Sequence, residues 1–433
     1  MVYTQRTPWT LIMGVIMAAY AWAVQSGVME PVIKFLGTGR LTGEMQTLGY
    51  CFGAVAIVVG LWQLVAKPGE GQGDYYLSSV AGVIFIMLVA FIVKWGLDPL
   101  MAQWGRAAQP TLGFNFASVM NLNYVVMGIL AGIIIVNVFK IPSWAQNGVR
   151  LSRLGLKTGV ILLGTLYSLG ELAKLGQLSV IMIGIFVLGS AWLVLLIGAQ
   201  RKISNSMGGV LAAGVGVCGV SAAVAVAPVV RARSDEIAYT IGTILVFGVI
   251  CMFLFPVVGH LLGMSNVQFG AWAGTGILNS AQVAGAALAF QPTGDLETLK
   301  VGEIFNITRV LFLPIIVLWL AVWYMRRETA AGGNVKQVNT GRIIIEKFPI
   351  FVLGFILMFA LASAGAFTSK MIPQFREWLT WLFAFGLTGL GMQITLAAMR
   401  QAGGEPMVIG SVVGVLKAVL SLIVVLLFVR GTI

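Results

Sequence analysis

Gly214-Val-Gly-Val-Cys-Gly-Val-Ser-Ala-Ala223 and Gly274-Thr-Gly-Ile-Leu-Asn-Ser-Ala-Gln-Val283 are rich in small and polar residues, and each sits inside a run otherwise apolar enough to cross a membrane. A helix opened by glycine, hydroxyl and amide residues leaves backbone N–H and C=O groups that lipid cannot satisfy. Such a stretch survives only where it is packed in protein or lines a wet cavity. A matched pair of interrupted helices is the sequence pattern of a transporter binding site, because half-helix ends then face a ligand near mid-membrane.

Working outward, composition defines the solvent. Of 433 residues, 59% are apolar and only 10% are charged, and the mean hydropathy is +0.96. These values describe an all-α polytopic membrane protein. A spanning helix needs roughly 20 mostly apolar residues, which yields about 13 segments. They lie at 8–28, 47–66, 77–97, 118–139, 154–175, 178–199, 207–230, 237–262, 269–290, 303–325, 344–367, 378–399 and 406–429. The runs at 207 and 269 carry the interruptions and read as broken or re-entrant. The first run is long and lacks a clear small-residue cleavage site, so it reads as a retained helix.

Cys51, Cys218 and Cys251 fall in predicted spans with no paired spacing, which argues against a disulfide framework or a zinc site. The net charge of +12 resides mainly in short loops between apolar runs, the pattern of membrane topology and not of nucleic-acid binding. The two most basic connections are Lys140 to Lys157 and Arg326 to Lys347. Alternation through the spans puts both on the side of the N-terminus, which predicts a cytoplasmic N-terminus. Arg201-Lys202 and Arg231 to Arg233 flank one span and pull both its ends to the same side, a conflict that a broken segment relieves.

The chain divides into a three-helix N-terminal extension, residues 1–114, and a core, residues 115–433, where glycine, polar residues and in-membrane charge become denser. Within the extension Lys94 reads as a snorkelling residue. The core carries signs of repetition. Gly159, Gly164, Leu169 and Gly176 match Gly386, Gly391, Leu396 and Gly403 at one constant offset, and Gly214, Gly216 and Val217 match Gly274, Gly276 and Ile277 at another. The expectation is an inverted-repeat transporter core with two broken, crossing helices.

Several motifs carry a family likeness. Lys157-Thr-Gly-Val-Ile-Leu-Leu-Gly-Thr-Leu-Tyr-Ser-Leu169, Cys218-Gly-Val-Ser-Ala222 followed by Ala225-Val-Ala-Pro-Val-Val230, Trp272-Ala-Gly-Thr275 with Ala281-Gln-Val283, Thr308-Arg-Val-Leu311 and Leu390-Gly-Met-Gln393 occur in order over roughly residues 115–430. This chain resembles the YeiH-type sulfate exporter family, grouped with cation/proton antiporter and bile-acid-symporter-like transporters. The resemblance implies two inverted repeats, unwound helices crossing near mid-membrane, elevator-type motion, export of sulfate or sulfite, and a place in the bacterial inner membrane. The first three spans are an addition to the shorter family pattern. Where the family commonly has His and an acidic residue just before Ala-Gln-Val, this chain has Leu278-Asn279-Ser280. Where a basic residue often precedes the arginine by three positions, it has Asn306.

The candidate binding residues follow from the two interruptions. Gly216, Gly219 and Gly276 let the backbone open and approach a ligand. Ser221, Thr275, Asn279, Ser280 and Gln282 offer hydrogen bonds, and Cys218 lies in the first break. Any one small residue in such a helix also serves packing. Arg309, one to two turns into a predicted span, needs a partner there and reads equally as an anion ligand or a structural salt bridge. Glu303 and Lys417 are candidates for coupling. Glu303 reads more simply as a membrane-boundary carboxylate, whereas Lys417 lies mid-span and is expected to face the protein interior. His260, the only histidine, reads as an interface residue.

With one histidine there is no His cluster for a metal, and no phosphate-binding glycine loop is present, so enzyme and ATP-driven readings fare poorly. The expected function is a secondary transporter exporting a small anion, with no cofactor beyond a coupling ion, Na+ or H+. Its expected partners are the anion and the bilayer, with a homodimer left open and nucleic acid excluded. Two alternatives stand beside it: a sodium-coupled carboxylate or sulfonate symporter, and a non-transporting subunit that docks a partner.

Overall fold

The computed structural model describes residues 7–65, 72–112, 117, 122–167, 169–291, 294–330, 350–368, 370–400 and 403–429. Among these residues all long regular elements are helices and there is no strand. In chain order they are α1 (Trp9–Gln25), α2 (Glu30–Leu36), α3 (Thr42–Val65), α4 (Gln72–Phe91), α5 (Asp98–Leu112), α6 (Tyr124–Ile134) and α7 (Gln146–Leu163). There follow α8 (Leu169–Gln200), α9 (Asn205–Gly216), α10 (Val220–Val226), α11 (Ser234–Leu261), α12 (Asn266–Gly276), α13 (Ser280–Phe290) and α14 (Glu297–Leu311). The last are α15 (Leu313–Ala330), α16 (Ile350–Ser363), α17 (Met371–Gly391), α18 (Leu396–Arg400) and α19 (Gly404–Phe428).

Six helical stretches among the described residues are long and apolar enough to cross a membrane: Gly39–Val65, Asp74–Pro110, Gly176–Gln200, Asp235–Leu261, Glu297–Glu328 and Gly404–Phe428. The pair α1 and α2, bent by 85°, adds a seventh if counted as one span. Large apolar side chains lie exposed along these stretches, among them Val58 at 66%, Ile185 at 66% and Leu427 at 72%, as lipid-facing residues would. The apolar runs at 207–230 and 269–290 are each split into two helices, too short singly to span. Part of the run at 344–367 lies outside the described residues.

The chain packs as two compact units, Met1–Gly159 with Thr380–Thr395, and Val160–Leu379 with Leu396–Ile433. In the first, α1 and α3 approach closely because α3 presents Gly49, Gly53, Ala56 and Gly60 on one stripe. A Cβ added at Gly60 would lie 2.7 Å from the backbone N of Leu11. Small-residue stripes of this kind let membrane helices gain contact where no hydrophobic force drives them together.

A polar knot also holds this unit. Glu44 Oε1 accepts from Trp381 Nε1 at 2.8 Å and from Trp95 Nε1 at 3.2 Å. Lys94 Nζ lies 3.5 Å from the same oxygen and 4.0 Å from the Trp381 ring centroid. Lys94 is therefore enclosed by a carboxylate and an aromatic face and does not merely snorkel. Trp381→Phe keeps most of the ring but removes one donor to the carboxylate. The expected loss is about 2 kcal/mol, the scale for a hydrogen bond to a charged group, read as a lower unfolding temperature with unchanged ligand response.

In the second unit, α12 and α14 meet through glycine, with a Cβ on Gly274 falling 2.7 Å from the Gly302 carbonyl oxygen. Trp272 Nε1 of α12 donates to the Ala418 carbonyl of α19 at 2.9 Å, and its ring stacks on Phe255 of α11 at 3.9 Å. These contacts fix α12, and with it the second interruption, against three neighbouring helices.

Candidate binding site at two helix breaks

Both interruptions lie in the second unit, and both open the backbone. The helix α9 ends at Gly216; Val217 leaves helical space with φ −101° and ψ −96°, Gly219 takes φ +77° and ψ −126°, and α10 resumes at Val220. The helix α12 ends at Gly276; Ile277 is extended at φ −74° and ψ 128°, Asn279 at φ −103° and ψ 126°, and α13 resumes at Ser280. Both the stops and the restarts stand sixty residues apart. The two breaks touch, since a Cβ added at Gly219 would lie 3.0 Å from Asn279 Cα.

The first half-helices are firmly started. Ser204 caps α9 by accepting from Met207 N, and Ser265 with Gln268 forms a reciprocal capping box on α12. Their C-terminal ends carry the negative pole of the helix dipole, and each meets a buried cation. Lys417 Nζ donates to the carbonyls of Val215 and Gly216, both at 3.1 Å. Arg309 Nη1 donates to the Ile277 carbonyl.

Arg309 is 0% exposed and Glu303 is 1% exposed. Their six-residue separation does not bring them face to face, and Asn306 fills the gap. Its Nδ2 donates to Glu303 Oε2 at 3.0 Å, while its Oδ1 accepts from Arg309 Nη2 at 3.0 Å. Glu303 is thus a buried member of a relay along α14. By formal charge, Arg309, Lys417 and Glu303 sum to +1.

The second half-helix α13 is where donors remain. Asn279 caps it, its Oδ1 accepting from Ala281 N at 3.3 Å. Gln282 stands at the position from which a capping-box side chain folds back, as Gln268 does in α12. It does not fold back. It is 0% exposed, neither amide atom has a hydrogen-bond partner among the described residues, and a Cβ added at Gly248 of α11 would fall 1.7 Å from its Oε1. Ser280 Oγ and Arg309 Nε are likewise buried without partners, as is Thr240 Oγ1 of α11. Thr240 lies beside the last turn of α9, where its methyl group would be 3.5 Å from a Cβ on Gly214. Buried polar atoms are nearly always paired, so several without a partner among the described residues on the helices that form the two breaks point to a ligand.

The other expected residues distribute unevenly. Gly216, Cys218, Gly219 and Gly276 lie at the breaks, with Cys218 buried. Thr275 is buried but donates to the Ala271 carbonyl of its own helix at 2.8 Å. Ser221 lies on an exposed part of α10. His260 is exposed at the end of α11 and stacks on Phe290 at 4.2 Å. Thr240 and Gly248 carry no local signal in the sequence, and Asn306 stands out there only as the replacement of a basic residue and not as a bridge. The spacing of Asn306, three residues from both Glu303 and Arg309, is the signal from which that bridge could have been found.

Residues 81–410 match the family described as conserved hypothetical protein 698. The chain belongs to this family of membrane proteins. A family relative from Nitratidesulfovibrio vulgaris, named as a UPF0324 membrane protein, is 39% identical over 83% of this chain and 98% of its own length. A second from the same organism is 34% identical over 84% of this chain and 98% of its own. A UPF0324 membrane protein of Clostridium tetani is 28% identical over 62% of this chain and 79% of its own. No solved structure matches. Together with the long apolar helices, membership makes the chain a multi-pass membrane protein. The helices α1 to α3 precede the family match.

Proposed function

We propose that this family member is a secondary transporter of a small anion, bound where the two broken helices touch and moved by alternating access of that pair. The observation that carries the reading is the set of buried groups without a partner among the described residues at the second break: Ser280 Oγ and the Gln282 amide at the start of α13, and Nε of Arg309, whose Nη1 holds the Ile277 carbonyl. A helix start favours negative charge, the local charge excess is positive, and the carboxylate of Glu303 is already engaged by Asn306. Sulfate, sulfite or a small organosulfur anion fits this chemistry and the likeness to sulfate exporters. About thirteen membrane segments over the whole chain, an inverted-repeat core over residues 115–433 and an elevator motion belong to the same proposal. So do an inner-membrane location and a cytoplasmic N-terminus.

The test is thermal stabilisation of the purified full-length protein by sulfate, sulfite, thiosulfate, taurine and short carboxylates, since a ligand that binds only the folded state raises apparent stability. At least one oxyanion is expected to stabilise, and flux in proteoliposomes should follow the same order. Gln282→Leu removes two unpaired polar atoms, so the ligand-free protein should be as stable as wild type or more so. The anion concentration needed for half-maximal stabilisation should rise by about ten-fold or more, the equivalent of one lost hydrogen bond. Stabilisation by none of these anions, or an unaffected Gln282→Leu response, would sink the reading.

A further inference from the structure

Lys417 lies in the middle of α19, is 2% exposed and has two acceptors, the carbonyls of Val215 and Gly216 at the open end of α9. In broken-helix transporters, unwound carbonyls and half-helix C-terminal ends are where a coupling sodium ion coordinates. Here an ammonium group carried by the chain already takes that place, 3.1 Å from each carbonyl oxygen. Arg309 takes the equivalent place at the other break, on the Ile277 carbonyl. A metal ion at either end would share its carbonyls with a fixed cation in a low-dielectric interior, where like charges repel strongly.

We infer that Lys417 is a built-in cation that replaces an alkali-metal ion at the first break, so that ligand binding at the crossing is independent of sodium. With Arg309 and Lys417 fixed and Glu303 the one carboxylate of the relay, the remaining positive charge is balanced by the anion itself and no co-bound metal is required. The role of the anion rests on the function proposed above; the occupancy of the carbonyl end by Lys417 does not.

The experiment has an anion-free arm and an anion arm. Unfolding temperature is measured for the full-length protein in matched sodium, potassium and N-methylglucamine buffers. Wild type should show no sodium-specific rise, and sulfate half-saturation should differ by less than about two-fold among the three. Lys417→Ala removes the ammonium and frees the carbonyls. Its unfolding temperature should fall, and millimolar sodium or ethylammonium should restore part of it while N-methylglucamine does not. Its sulfate half-saturation should become cation-dependent by about ten-fold.

A sodium-specific stabilisation of wild type would overturn the inference, as would a Lys417→Ala protein indifferent to every small cation. If Lys417→Ala cannot be recovered folded, the wild-type comparison among the three cations still decides. If sulfate fails to stabilise wild type, the anion reading falls, while the anion-free arm continues to decide what Lys417 does.

Discussion

Arg309→Ala should abolish anion binding and cost the protein a large part of its stability. The guanidinium is fully buried, donates to the Ile277 carbonyl and to Asn306 Oδ1, and leaves Nε directed at no other described group. Removing it strands the carbonyl at the end of the second break and leaves Glu303 buried without a nearby counter-charge. Breaking a buried charged network by deleting one partner costs about 3–5 kcal/mol. Arg309→Lys separates structure from binding. It keeps the charge but loses the planar fork that serves a carbonyl, an amide oxygen and a ligand in three directions. The lysine variant should remain monodisperse with a moderately lower unfolding temperature, while anion half-saturation rises about 100-fold, the equivalent of a little under 3 kcal/mol. Wild-type anion response in Arg309→Lys would remove the arginine from the site.

The second large effect is expected at Gly219. Its φ of +77° with ψ of −126° lies in space that residues with a Cβ avoid. An added Cβ would also sit 3.0 Å from Asn279 Cα and 3.1 Å from Ile244 Cγ2. Backbone strain of this kind costs about 1–3 kcal/mol, and overpacking adds about 1–3 kcal/mol more. Gly219→Ala should therefore lose roughly 2–6 kcal/mol and push the two breaks apart, so stability and anion binding fall together. Gly263→Ala is the control, because Gly263 also has positive φ, at +60°, but a Cβ there meets nothing within 4 Å. Equal destabilisation of the two variants by thermal unfolding would show that contact between the breaks contributes nothing.

The place of the breaks was legible because the signal is local. Gly214 to Gly219 and Gly274 to Asn279 combine glycine with polar residues inside runs that are otherwise apolar, and such composition weakens a helix wherever it occurs. The sixty-residue spacing of the two breaks was legible for the same reason, with Gly216 and Gly276 both ending a helix. Which side chains turn toward the crossing was less legible. Ser221 and Gln282 look alike as polar residues just beyond a break, yet Ser221 is exposed and Gln282 is wholly buried. That difference depends on the rotation of each half-helix against its neighbours. Glu303 and Arg309 are too far apart along one helix to meet, and only the orientation of Asn306 joins them.

The amino-acid sequence by itself determined that this protein lives in a membrane, that its regular structure is helical, and where two of its helices must open. Hydropathy and local backbone preference act over a few residues and are written in residue type. The tertiary structure alone decided that Lys417 and Arg309 close the open ends of α9 and α12, and that Gln282 lies unpaired over Gly248. The acceptors in the first case are backbone carbonyls, which every residue possesses. In the second case the contact surface is a missing side chain. Neither leaves a mark in residue identity, so both emerge only when distant helices are brought together.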